Sequence, residues 1–303
     1  KREYNTQRKT NCAFQVLKSI ISDYPNEEFV YIIGGDSMIH FHTWVRPDII
    51  SKLMPIAVVA RKGYYGLTKA IENARKRFDA QIIELPMEGD EVSSSLIKAQ
   101  FELERKSPFV CEKATQIIKT QGLYTDFQNT INKLKSNISC DLFRHCKSTV
   151  FFAMGFVNKL NLKYEQVFLS ALLHDCAKEI PPPERYKHIP HKIVHQFYGS
   201  ELANEIYDIK DEKILSAIRY HTTGRAGMSD LEKLIYSADM LEDLRNFSGV
   251  ENLRRTIKED FEKGFFECVK HSINRFKKTQ RDIYYLSLEC YDYYNKRTLS
   301  KIK

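Results

Sequence analysis

Phe168-Leu169-Ser170-Ala171-Leu172-Leu173 carries five apolar residues in six and runs straight into His174-Asp175. A helix apolar on every side is a core helix, so this one delivers an imidazole and a carboxylate into the interior. Neighbouring helical residues point about 100° apart, and the pair can face a common ion only near a helix end or along an inner edge. Working outward, His145 precedes the pair, and His195, His221 and Asp239 follow it. Asp239 sits among Leu234-Ile235-Tyr236-Ser237-Ala238, where an unpaired carboxylate is costly; a metal ion removes that cost.

Each of these residues has a plainer reading. One histidine on an apolar helix is more often a hydrogen-bonded core residue, and Asp239 alone is an ordinary ion-pair partner. The joint order, His, His-Asp, His, His, Asp, reverses that judgement. It supplies six N/O ligands, enough for two divalent ions that turn water into a nucleophile against a phosphate ester or anhydride. With no thiolate in the set, a closed structural zinc site is disfavoured, and iron, manganese, cobalt or catalytic zinc suits the donors. Asp175 is expected to bridge the ions. His40, His42, His188, His191 and His271 have no such placement and read as structural.

Phosphate chemistry also needs fixed donors. Lys178 stands one turn beyond Asp175, and His221 opens the turn Thr222-Thr223-Gly224-Arg225. Arg225 is the expected bidentate phosphate ligand, with Thr222, Thr223 and the Gly224 backbone as donors. Asp175, Lys178 and Arg225 form the expected catalytic group.

The first ~125 residues alternate strand and helix signals. Strands are expected at Phe29–Ile33, Pro55–Ala60 and Ala80–Leu85, and helices at Thr68–Phe78, Ser93–Glu104 and Cys111–Thr120. That alternation predicts a partial Rossmann-like parallel sheet. Helical spacing then takes over, at Phe143–Leu160, Glu165–Glu179, Gln196–Tyr207, Asp211–Tyr220, Ser229–Glu242, Val250–Phe276 and Gln280–Asn295. Ser229 and Glu232 mark a capping box, and Pro181-Pro182-Pro183 stops a helix. The fold class is therefore α/β followed by all-α, with domains at 1–126 and 127–303.

The 303 residues, 43% hydrophobic and 28% charged, suit a globular two-domain chain. No apolar run approaches the ~18 residues of a membrane span, and Lys1-Arg2-Glu3-Tyr4 is no signal peptide. Seven cysteines without a Cys-x-x-Cys pair suggest reduced thiols and a cytoplasmic protein. Of the net charge of +8, six units lie in residues 270–303, with nine Lys/Arg against three Asp/Glu. That stretch reads as a solvated helix face, so nucleic acid is not an expected partner; nucleotides are, and a homodimer is compatible.

Several segments resemble the YqeK-type HD-domain family: Arg144-His145, Leu172-Leu173-His174-Asp175, His195 with Gly199, and above all Ala217 to Ser229, which contains His221-Thr222-Thr223-Gly224-Arg225-Ala226-Gly227-Met228-Ser229. Leu231 to Asp239 and Phe247-Ser248-Gly249-Val250 continue the likeness, which covers nearly all of 140–295. It implies symmetrical hydrolysis of diadenosine tetraphosphate to two ADP on a di-iron-type centre and a helical HD-domain bundle. Gln196-Phe197-Tyr198 departs from the family's pattern after the histidine, which bears on pocket shape rather than ligation.

Tyr31-Ile32-Ile33-Gly34-Gly35-Asp36-Ser37, Trp44, Val58 to Tyr64, Val92 to Lys98 and Leu123-Tyr124 resemble the later two-thirds of bacterial nicotinate-nucleotide adenylyltransferases. The likeness implies nucleotide-binding roles for Gly34, Asp36, Trp44 and Arg61, and an anion site at Ser93, Ser94, Ser95 and Lys98, where hydroxyls and free amides open a helix. The Gly-rich motif with two histidines that such enzymes carry on their first strand is absent from this sequence, as is their Ser-Tyr-Thr segment. ATP with magnesium is a cofactor only if this domain is active. The leading expectation is thus a metal-dependent hydrolase of dinucleoside polyphosphates. Its rivals are NAD biosynthesis as the main role, and a nucleotide sensor without turnover.

Overall fold

The computed structural model describes residues 12–61, 66–89, 92–280 and 282–300. Its packing divides into two compact units, 1–91 and 92–303.

In the first unit, α1 (Ala13–Asp23) leads to β1 (Tyr31–Gly34), α2 (Gly35–Ile39) and α3 (Pro47–Leu53); β2 (Ile56–Arg61), α4 (Leu67–Phe78) and β3 (Ile82–Gly89) follow. All three expected strands form, and the sheet is parallel in the order β1-β2-β3. Tyr31 pairs with Ile56, and Ile56 with Ile82. Strands joined by helices can pair this way because each crossover carries the chain back to the starting edge. The inward residues Ile33, Ile56 and Val58 meet Phe41, Ile50 and Ile71 in one core.

The second unit is helical throughout its described residues: α5 (Ser94–Glu104), α6 (Glu112–Thr120), α7 (Gln128–Asn137), α8 (Cys140–Met154), α9 (Tyr164–Leu173), α10 (His191–Glu205), α11 (Glu212–Arg219), α12 (Asp230–Leu241), α13 (Val250–Glu259), α14 (Phe261–Lys278) and α15 (Tyr285–Ser300). The change of sequence pattern near 126 and the division in packing at 91/92 are therefore different places, because α5 packs on α8. Every residue of α9 from Gln166 to Leu173 is buried. It packs against α8, α11 and α12, so the segment that decided the fold is the core of this unit.

Three sequence expectations shift. The helix expected over Glu165–Glu179 stops at Leu173, and residues 174–179 continue as tight turns, such as Lys178 N to Asp175 O at 3.0 Å. The helix expected over Val250–Phe276 is two: Asp260 breaks it by accepting the Lys263 N–H at 3.0 Å as a new N-cap. Helix α7 was not expected from sequence at all. No helix among the described residues is long and apolar enough to cross a membrane.

Candidate metal centre

Three helices and the turns after two others bring the ligands together. His145 lies in the second turn of α8, His174 and Asp175 just past α9, His195 in the second turn of α10, His221 just past α11, and Asp239 near the end of α12. Glu179 fixes the turn after α9 to the start of α8, accepting the Ser139 N–H at 2.7 Å and its hydroxyl at 2.6 Å. The pair thus emerges at a helix end, the position where adjacent residues can share one ion.

Two donor clusters form, His145-His174-Asp175-Asp239 and Asp175-His195-His221. In the first, His145 Nε2 lies 3.1 Å from His174 Nε2 and 3.0 Å from Asp239 Oδ1. In the second, His195 Nε2 and His221 Nε2 are 3.2 Å apart. Asp175 belongs to both. Its Oδ2 is 3.4 Å from His174 Nε2, and its Oδ1 is 3.3 and 3.4 Å from His195 and His221.

The hydrogen-bond chemistry says what these atoms lack. His174 Nδ1 must donate to the Ala171 carbonyl (2.8 Å), and His221 Nδ1 to the Ile218 carbonyl (2.7 Å). His145 Nδ1 donates to Glu242 Oε1 at 3.1 Å. In the neutral rings each Nε2 is then a lone pair, and these lone pairs face one another and two carboxylates. Asp175 Oδ1 is buried without a hydrogen-bond partner. Only cations satisfy such an arrangement, and the donor set fits divalent metal ions.

Electrostatics agree. Burial raises the Asp175 and Asp239 pKa values, yet the surrounding histidines more than reverse it, and both carboxyls fall well below the usual range. Burial also opposes a charge on His174, but Asp175 and Asp239 win and lift it to about 10. His221, dominated by burial, drops to about 4.

The expected phosphate donors are placed differently. Lys178 Nζ reaches Asp175 Oδ2 at 2.6 Å and keeps an exposed side. Thr222 Oγ1 lies 3.2 Å from His195 Nε2. Arg225, however, commits Nε and Nη2 to Glu232 (2.8 and 3.1 Å) and Nη1 to the Ala226 carbonyl, and it covers Tyr220. The Thr222 and Thr223 amides both donate to Gln196 Oε1 (3.0 and 3.1 Å), and the Gly224 amide to the Tyr220 carbonyl. The turn is therefore a scaffold around His221 rather than an open anion nest. Gly224 is required there: its φ is +65°, and a Cβ would stand 2.7 Å from Cys290 Sγ.

Two functional residues escaped sequence reasoning. Glu242 orients His145, and Arg245 Nη2 donates to Asp239 Oδ1 at 2.6 Å. Their one signal is a charged run, Glu242-Asp243-Leu244-Arg245, just beyond a ligand helix.

In the first unit, Gly34 and Asp36 sit at the carboxyl end of β1, where open α/β sheets bind ligands. Trp44 packs against Phe41 and Tyr31 at centroid distances of 5.5 and 6.3 Å. The Arg61 side chain and residues 62–65 lie outside the described residues. Ser93 caps α5 by accepting the Leu96 N–H at 3.1 Å, Ser94 is exposed and Ser95 buried, and Lys98 lies over Tyr164.

The HD domain family model matches residues 142–244, the span that holds all six ligands. A symmetrical bis(5'-nucleosyl)-tetraphosphatase from Halalkalibacterium halodurans is 32% identical over 171 residues, covering 52% of this chain and 91% of that protein. The chain belongs to the YqeK-type HD-domain family. Its similarity also extends over the α/β unit. A Mycoplasma genitalium protein named probable nicotinate-nucleotide adenylyltransferase/Ap4A hydrolase is 25% identical over 294 residues, 90% of this chain and 79% of its own length. Among solved structures, a Clostridium acetobutylicum protein described as a predicted HD superfamily hydrolase involved in NAD metabolism matches with a TM-score of 0.51. It is 28% identical, over 57% of this chain and 98% of that one. Membership of the YqeK-type family explains why a helical unit would spend six buried or half-buried polar side chains on one cage.

Proposed function

We propose that this chain is a metal-dependent phosphohydrolase whose helical unit cleaves dinucleoside polyphosphates, diadenosine tetraphosphate to two ADP. The observation that carries the reading is the Asp175 carboxylate, which turns one oxygen to each of two histidine clusters. His145, His174 and Asp239 would hold one divalent ion, His195 and His221 the other, and Asp175 both. Iron is the metal we favour; manganese, cobalt and zinc suit the same donors. When bound, such a pair supplies Lewis acidity, lowering the pKa of water and offsetting charge on a phosphoanhydride.

The chain's own groups do the rest. Nδ1 hydrogen bonds keep the imidazoles of His145, His174 and His221 turned inward. Lys178, beside the shared carboxylate, offers a positive charge at the rim of the cage. A groove of about 440 Å³ lined by Pro182, Tyr186, His188, His191 and Val194 opens one helical turn before His195. It is of a size that takes a nucleoside.

The test is ADP release from diadenosine tetraphosphate by the purified chain with iron or manganese, beside a His174→Ala, Asp175→Ala variant. Metal-dependent ADP from the parent alone supports the reading; none from either favours a nucleotide sensor. Adenylate transfer by the α/β unit is a second activity, favoured by the name of the Mycoplasma relative. Formation of dinucleotide from nicotinate mononucleotide and ATP tests it.

A further inference from the structure

Arg245 follows α12 in a turn whose backbone is clamped from outside. Arg254 donates Nε to the Leu241 carbonyl at 2.8 Å and Nη2 to the Glu242 and Arg245 carbonyls at 2.6 and 2.9 Å. The Glu242 carboxylate accepts the Leu244 N–H at 2.7 Å. The base of the Arg245 side chain is thus fixed, while the side chain as a whole is 39% exposed.

That head lies on metal-ligand atoms. Nη2 donates to Asp239 Oδ1 at 2.6 Å and stands 3.4 Å from His145 Nε2. Those two acceptors are 3.0 Å apart and close the first cluster. Because His145 Nδ1 donates to Glu242, its Nε2 lone pair is aimed at the same spot. A carboxylate oxygen has two lone pairs, so Asp239 Oδ1 can accept this N–H and still serve a cation among His145, His174 and Asp175, with Arg245 at the edge of the cluster. Nε has a separate anchor, the Asp239 main-chain carbonyl at 2.8 Å. A planar fork at the open edge of the cage suits a phosphate oxygen, and Arg225, held by Glu232, leaves that role unfilled.

We propose that Arg245 is the phosphate-binding arginine of this site, held by Asp239 at the edge of the first cluster with the rest of its guanidinium available to the polyphosphate. The inference rests on the phosphohydrolase reading and adds the group that grips the substrate.

The experiment uses the full chain, stripped with chelator and reloaded with Mn2+, as wild type, Arg245→Gln and Arg245→Lys. Free Mn2+ is followed by electron paramagnetic resonance, ADP binding to the loaded protein by calorimetry, and KM and kcat with diadenosine tetraphosphate. Arg245→Gln should bind Mn2+ about as tightly as wild type, because Arg245 supplies none of the donor atoms. It should bind ADP about tenfold more weakly and raise KM by a similar factor, and Arg245→Lys should recover part of both. If Arg245→Gln instead loses Mn2+ while Mn2+-saturated protein keeps its ADP affinity, Arg245 only props Asp239 and the assignment is overturned. A wild-type chain that takes up no Mn2+ removes the underlying reading, and this one with it.

Discussion

Glu232 receives Arg225 through two parallel hydrogen bonds, 2.8 and 3.1 Å, while Glu232 itself is 1% exposed. The same carboxylate accepts the Ser229 N–H and the Ser216 hydroxyl, so the capping box of α12 and the turn after His221 share one buried anion. Replacing Arg225 with alanine leaves that anion without its cation. We expect a loss of about 2–4 kcal/mol in a denaturant titration, with the metal ligands untouched. A variant as stable as wild type would show that the pair is ornamental.

The same anion sets a pH dependence. Burial raises the Glu232 pKa, but Arg225, Ser229 and Ser216 outweigh it and hold it below the ordinary glutamate value. A carboxyl depressed in the folded state contributes stability that is complete above the unfolded pKa, about 4.3. That stability is lost as pH falls through the lower folded value. Melting temperatures between pH 7 and pH 3 should therefore fall less steeply at the acid end for Glu232→Gln than for wild type, from a lower starting point. Parallel curves would contradict this.

Gln196, which departs from the family's pattern after the second-cluster histidine, is fully buried. Its Oε1 takes the Thr222 and Thr223 amides, and its Nε2 donates to Thr223 Oγ1 at 2.9 Å. Leucine at this position would leave two main-chain donors short of a partner and cost about 2–3 kcal/mol. The turn that aims His221 should loosen, and the second cation should bind more weakly. Thermal melts combined with metal stoichiometry would detect both effects; an unchanged stoichiometry would separate the scaffold from the site.

Glu242 acts through His145. Substitution by glutamine removes the charge that orients the ring and strengthens its Nε2, for which comparable metal sites lose about 10–100-fold in affinity. Chelator competition on Glu242→Gln should show that loss in the first cluster only. Equal affinity would mean the carboxylate serves Arg245 and Leu244 instead.

Gly264 in α14 meets Ile257 in α13 so closely that a Cβ would lie 2.2 Å from the Ile257 Cα. Gly264→Ala should force the helices apart and lower stability by about 1–3 kcal/mol, as overpacking does. Metal binding by the surviving folded protein should not change. A melt identical to wild type would show that the hairpin opens without strain.

These residues also mark how far the sequence could be read. The convergence of the six candidate ligands was legible because buried polar side chains on apolar helices need a stated reason, and a shared cation would supply one for all of them. The parallel sheet was legible from three short β-branched runs. The α13–α14 break was not, since Asp260 inside a helical pattern becomes a cap only once Gly264 lets the two helices close. Arg225 looked like a free phosphate ligand because nothing in the order of residues announces that Glu232, two turns on, folds back to it. Glu242 and Arg245 lie past a helix end, where no periodicity assigns a direction.

The central claim is that Asp175 joins two cation sites, and counting metal in the purified full chain tests it most directly. Elemental analysis should find two divalent ions per wild-type chain and a loss of both in a folded Asp175→Asn variant. One ion or none in the parent, or two retained in the variant, would contradict it.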